Sequence, residues 1–203
     1  MNTLRAFIAI EMPGFVVDAI RQSQQVLQRD GIRLRWVRPE NVHLTLRFLG
    51  DISPENIPAI RDAMQRSVSR REPFFLNISE IGVFPGLQKP RVMWLGLQGR
   101  LDLLDELFRD LSAFLAEQGI PLEKRPFKGH LTIGRVKGKL DRETLRLALS
   151  RPVPFKTDDF VVDSICLFKS DLTPGGAVYT PLVKAKIKNG LNSNETIGRH
   201  NHG

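Results

Sequence analysis

Along the chain, stretches of apolar and polar alternation and stretches with apolar residues every three or four positions follow one another without a fixed rhythm. Helical spacing runs over residues 13–30, through Val16, Ile20, Val26 and Leu27. Ser53 supplies an N-cap, with Pro54 in the first turn, ahead of a second helix over 57–71. Leucine and phenylalanine recur every three or four residues over 101–118, and Gly119 ends that helix. A shorter fourth helix is predicted over 141–150. Extended segments are predicted over 4–10, 42–49, 74–81, 92–97, 130–136, 160–168 and 177–187, several separated only by hairpin-length turns such as the Pro-Gly-Gly at 174–176. Hairpins mixed with helices in this way predict an α+β class rather than a parallel doubly wound sheet.

No linker rich in Pro, Gly or Ser interrupts this pattern, so residues 1–187 are expected to form one domain, or two small lobes sharing a core. From 188 onwards the apolar periodicity stops, and residues 188–203 are expected to be a polar, disordered tail. Two of the four histidines, His200 and His202, fall there, where catalysis is not expected.

The other two histidines share a setting. His43 opens HLTL at 43–46 and His130 opens HLTI at 130–133. On a strand, residues two apart share a face, so His43 lies with Thr45 and His130 with Thr132, while Leu44, Leu46, Leu131 and Ile133 face the core. Each strand then shows an imidazole and a hydroxyl about 6 to 7 Å apart. Threonine makes up roughly 4% of the chain, so two chance pairings have odds of about 0.002, which favours a site over two unrelated core histidines.

Two imidazoles that titrate near neutrality can serve as a base and an acid. Hydrolysis of a phosphodiester needs both: one to take a proton from the attacking water and one to protonate the departing oxygen. Hydroxyl donors beside them would stabilise the non-bridging oxygens. A zinc site would call for a third ligand and spacing such as His-x-x-x-His, and no Cys, His, Asp or Glu lies four residues from either histidine. No metal or other cofactor is therefore expected.

Charge indicates the kind of partner. Thirty Lys and Arg against 22 Asp and Glu leave a formal charge of +8, which favours a polyanion such as nucleic acid. Cys166, the single cysteine, sits in the apolar run VVDSICLF and reads as a buried structural thiol. The opening apolar run is broken by Glu11, so neither a secretory leader nor a membrane span is expected, and a cytoplasmic protein is. Nothing in the sequence calls for an obligate protein partner.

The two motifs and their surroundings resemble the 2H phosphoesterase superfamily, and within it the RNA 2',3'-cyclic phosphodiesterase branch, also called the 2'-5' RNA ligase family. The similar stretches are RAFIAIEMP at 5–13, WVRPENVHLTLRFLG at 36–50, FPGLQKPRVMWLGL at 84–97, FKGHLTIGRVK at 127–137 and LFKSDLTPGGAVYTPL at 167–182. The resemblance implies a bilobal α+β fold, with two pseudo-symmetric lobes around a central cleft. It also implies metal-independent hydrolysis of an RNA terminal 2',3'-cyclic phosphate to a 2'-phosphomonoester. It makes His43 the proton donor, His130 the proton acceptor, and Thr45 and Thr132 the phosphate ligands. Spacing alone does not distinguish acid from base, because the motifs are symmetric. Gly129 departs from the family pattern, which often has proline there.

Three further residues are candidates for substrate binding. Arg47 continues the His43–Thr45 face by strand parity. Arg135 has the opposite parity to His130, but a bulge at Gly134 would turn it round, and the family often has arginine here. Phe127, flanked by Arg125 and Lys128, would offer a stacking platform for a base or else pack in the core. Trp36 and Trp94 read as packing residues. Alternatives that stay open are a non-catalytic RNA-binding module, a cyclic phosphodiesterase for small nucleotides, and 2'-5' RNA joining at the same site.

Overall fold

A computed structural model describes residues 3–123, 126–138, 140–150 and 156–188. Its elements are β1 (Leu4–Glu11), α1 (Gly14–Arg29), β2 (Leu34–Trp36), β3 (His43–Ile52), α2 (Ile57–Val68), β4 (Phe74–Phe84), β5 (Val92–Gly99), α3 (Leu101–Glu117), β6 (His130–Val136), α4 (Arg142–Ser150), β7 (Phe160–Val162), β8 (Ser164–Thr173) and β9 (Gly176–Lys186). The class is α+β. The four predicted helices are present, and α3 closes where expected: Gly119 has φ +78° and the Ile120 N–H donates to the Leu115 carbonyl at 3.0 Å.

All nine strands join one antiparallel sheet in the order β7-β4-β5-β6-β3-β1-β8-β9, with β2 added on β6. From its middle the order reads alike in both directions. β6 is followed by β5, β4 and β7 on one side, and β3 by β1, β8 and β9 on the other. The halves meet along the two histidine strands, where Leu44 partners Leu131.

The segment predicted as one strand over 160–168 is broken at Asp163 into β7 and β8. β7 pairs with β4 on one edge, whereas β8 pairs with β1 near the other. Val162 and Ser164 lie two residues apart, so their Cα atoms are separated by at most about 7.6 Å. The sheet must therefore curl until its ends approach.

One face of the curl carries the helices. Val16, Ile20 and Leu27 of α1 and Leu104, Leu107, Leu111 and Leu115 of α3 are buried against Leu44, Leu46, Leu131 and Ile133. The leucine-type positions of both motifs thus anchor their strands, and truncating any one to alanine would cost roughly 2–5 kcal/mol. β1 is buried on both faces: Ile8 and Ile10 join this core, while Phe7 and Ala9 join a second cluster with Cys166 and Phe168. Burial, with a smaller push from Glu11, raises the Cys166 thiol to about 11, as befits a structural thiol. No helix among the described residues is long and apolar enough to cross a membrane. Arg125, His200, His202 and the tail from 189 lie outside the described residues.

Candidate active site

Because β3 and β6 run antiparallel with Leu44 against Leu131, extending the register by one residue sets His43 opposite Thr132 and Thr45 opposite His130. Side chains of opposite residues share a face. The two histidines thus occupy one diagonal of a four-residue patch and the threonines the other, away from the helices. The structure brings together all four residues the sequence singled out.

Each imidazole is fixed in the same way. His43 Nδ1 lies 2.8 Å from the Asn41 carbonyl, and His130 Nδ1 lies 2.6 Å from the Lys128 carbonyl, each two residues upstream. A carbonyl only accepts, so each Nδ1 carries a proton and donates it. That leaves Nε2 of both rings as the position that takes up or gives a proton.

Aromatic rings hold both imidazoles from the side. Phe7 stacks on His43 at 4.5 Å and Tyr179 meets it edge-on at 5.3 Å. Phe84 meets His130 edge-on at 5.0 Å and itself stacks on Trp94. Trp94 also lies 6.5 Å from the His130 ring, so it borders the site as well as packing. Burial lowers the proton affinity of His43, and the hydrogen bond to Asn41 opposes that in part. In the ligand-free protein the His43 ring is expected to titrate below the ordinary value of about 6.5, read from its ring proton shift against pH by NMR. A midpoint at or above that value would contradict the buried placement.

One irregularity repeats in both strands. Ala9 and Ile8 of β1 partner Thr45 and Arg47, and Trp94 and Met93 of β5 partner Thr132 and Gly134, so Leu46 and Ile133 are extra residues. Each is a bulge that shifts side-chain parity by one. Arg135 is thereby turned onto the His130–Thr132 face and is exposed, in line with the bulge expected near Gly134. Arg47 is a correction: the same shift buries it, its guanidinium donates to the Pro121 carbonyl, and Phe48 takes the cleft position instead. Of the two placements open to Phe127, the structure has the second: its ring is stacked on Phe108 of α3 at 4.3 Å and packs against the core.

The second bulge is tied down from α1. Gln24 is buried, and its Nε2 donates to the carbonyls of Ile133 at 3.0 Å and Val37 at 2.7 Å. The Val37 N–H also donates to Ile133 O at 3.0 Å. Gln24→Met keeps the volume and deletes both bonds, so it is expected to lower stability by about 1–3 kcal/mol in urea unfolding. A change below about 0.5 kcal/mol would mean the bulge does not depend on this clamp.

Beside His43 lies a cavity of about 240 Å³ lined by Phe7, Phe168, Tyr179 and Pro181, with Glu11, Glu40 and Asn41 among its polar groups. Burial pushes the Tyr179 phenol up, while Arg135 and Arg5 act in the opposite direction. A larger cavity, about 630 Å³, lies between α2 and α3, but its Arg66 and Arg71 are already paired with Glu117, Glu106 and Asp110. Among the described residues, no three His, Cys, Asp or Glu side chains gather as ion ligands.

Parity in the motif strands could not have pointed to Phe7, Phe84 or Tyr179. They reach the histidines from neighbouring strands that only the sheet order brings close.

The sequence profile of the family described as LigT like Phosphoesterase matches residues 10–94 and 97–179, one motif in each segment. The chain is 31% identical over 182 residues to a Methanothermobacter thermautotrophicus protein named RNA 2',3'-cyclic phosphodiesterase, covering 88% of this chain and 96% of that one. It is 33% identical over 186 residues to an Aquifex aeolicus protein of the same name, covering 89% and 95%. Among solved structures, TT0787 of Thermus thermophilus superposes with a TM-score of 0.76 at 28% identity, over 92% of this chain and 100% of that one. E. coli LigT complexed with 3'-AMP superposes with a TM-score of 0.74 at 26% identity, over 93% and 100%.

Proposed function

Because the chain belongs to the LigT-like phosphoesterase family, we propose that it hydrolyses the 2',3'-cyclic phosphate at an RNA end to a 2'-phosphomonoester, using His43 and His130 and no metal. The observation that carries this reading is the pair of imidazoles with Nδ1 engaged by a carbonyl, which leaves Nε2 to exchange the proton, set diagonally on one face with a threonine beside each. The relatives named RNA 2',3'-cyclic phosphodiesterase support the choice of substrate.

The reaction is a single in-line displacement. A water oxygen attacks phosphorus as His130 Nε2 takes one of its protons, and the bond from phosphorus to the 3'-oxygen breaks as His43 Nε2 protonates that oxygen. Thr45 and Thr132 donate hydroxyl hydrogen bonds to the two non-bridging oxygens, where negative charge is held in the transition state. The products are a 2'-phosphate and a 3'-hydroxyl. The histidines end with exchanged protonation states, which solvent resets.

The cavity supports the assignment of His43 as acid. The leaving oxygen belongs to the terminal ribose, so that nucleoside must lie on the acid's side, and the cavity with aromatic walls is beside His43. Desolvation of the free ring works against the protonated form an acid needs. The negative charge of a bound phosphodiester works the other way. A 5'-hydroxyl in place of water would join ends through a 2'-5' linkage by the same steps.

The test is to incubate the protein with a short RNA ending in a 2',3'-cyclic phosphate and to separate the isomeric products. A 2'-phosphate is expected. A 3'-phosphate would mean that the 2'-oxygen leaves, and no turnover by folded protein would favour an RNA-binding module.

A further inference from the structure

Asn41 stands two residues before His43 and ends one turn of 3-10 helix over Pro39–Asn41. Three of its groups are engaged at once. Its N–H closes the turn on the Arg38 carbonyl at 2.8 Å, its own carbonyl accepts from His43 Nδ1 at 2.8 Å, and its Nδ2 donates to the Ala177 carbonyl of β9 at 2.8 Å. A residue that served only the turn would need only the first of these. Ala177 lies two residues along β9 from Tyr179, whose ring meets the His43 imidazole edge-on at 5.3 Å. The Asn41 side chain therefore ties together the two restraints on that imidazole, the acceptor at Nδ1 and the aromatic ring beside it.

Arg38 also reaches the hairpin of β8 and β9, donating to the Gly175 carbonyl at 2.7 Å, but it is exposed. Asn41 is half-buried and lines the cavity that separates residues 40–43 from Phe168, Tyr179 and Pro181, so its bond spans the two walls. His130 has no matching tie. Lys128, whose carbonyl accepts from His130 Nδ1, is exposed, and its side chain makes no hydrogen bond among the described residues. The difference suits the two roles. A departing oxygen is fixed by its ribose, so the ring that protonates it has one productive direction, whereas a water can adjust to its base.

We infer that Asn41 is a positioning residue for the acid of the reaction proposed above, on which this role rests. Its amide, held on the Ala177 carbonyl, keeps its own carbonyl on His43 Nδ1 and so keeps His43 Nε2 aimed at the departing 3'-oxygen. Asn41 touches none of the reacting atoms, and its loss acts on the proton delivered by His43 and on no other step.

The experiment measures kcat for the wild type, Asn41→Leu, Asn41→Ala and His43→Ala on two RNA ends, one with the natural 2',3'-cyclic phosphate and one with sulphur as the 3'-atom. It also follows the Nδ1 protons of His43 and His130 by NMR in the ligand-free protein. Asn41→Leu keeps the volume and deletes the donor, and Asn41→Ala deletes the donor without crowding the turn. On the natural end both Asn41 variants should be slower on the order of 10-fold, the range of a misaimed catalytic group. On the sulphur end, where the leaving group needs no proton, they should come within about 2-fold of the wild type. The His43 Nδ1 proton should exchange with water on the order of 10-fold faster, and the His130 proton at its wild-type rate. Unchanged kcat on the natural end, equal slowing on both ends, or unchanged exchange at His43 would each overturn the role. A His43→Ala variant that sulphur does not restore would instead count against His43 as the acid. No turnover by the wild type would count against the cyclic phosphodiesterase reading itself, and the exchange rates would still decide whether Asn41 holds the ring.

Discussion

His130→Ala is expected to lower kcat on a terminal 2',3'-cyclic phosphate by about 1000-fold or more while the protein stays folded, at the upper part of what a positioned general base contributes. The ring is partly exposed and its Nδ1 makes a hydrogen bond to the Lys128 carbonyl, so its loss would cost roughly 1 kcal/mol of stability. His43→Ala should lower kcat to a similar degree and destabilise more, because its ring fills space between Phe7 and Tyr179. Steady-state kinetics with circular dichroism on each variant check both statements. The roles separate with a substrate whose 3'-oxygen is replaced by sulphur, since a thiolate leaves without a proton. That substitution should restore much of the rate to His43→Ala and little to His130→Ala; the opposite pattern would exchange acid and base.

The second large effect is expected at the threonines. Thr45→Ala and Thr132→Ala each remove one donor to a non-bridging oxygen, which should lower kcat on the order of 10 to 1000-fold. The loss belongs in kcat more than in KM, since the oxygens carry most charge in the transition state. Thr→Ser keeps the hydroxyl and should recover most of the rate, whereas Thr→Val keeps the shape and should behave like alanine. A serine variant as slow as the valine one would show that shape, and not the hydrogen bond, matters at that position.

Much of this was legible in the sequence because strand parity is a local rule. HLTL and HLTI alternate cleanly, so the face of each histidine and threonine, and the burial of Leu44, Leu46, Leu131 and Ile133, followed from the residues alone. Amphipathic spacing likewise located the four helices. Parity failed one residue past each motif, where a bulge depends on partners in another strand. It therefore misplaced Arg47, while the glycine at 134 gave a usable hint for Arg135. Phe127 was ambiguous because stacking on Phe108 depends on how α3 crosses the sheet. β2 is too short to show a period, and the break at Asp163 is visible only once β7 and β8 are known to pair at opposite sides of the sheet. The aromatic residues around the histidines come from four other strands and leave no pattern along the chain.

The most direct measurement follows the cyclic phosphate by ³¹P NMR in excess EDTA, with wild-type protein and the His43→Ala and His130→Ala variants side by side. Conversion to a 2'-phosphomonoester signal by the wild type alone is the expected result. Conversion that stops in EDTA and returns with a divalent ion, or that continues in both histidine variants, would contradict metal-independent catalysis by the paired imidazoles.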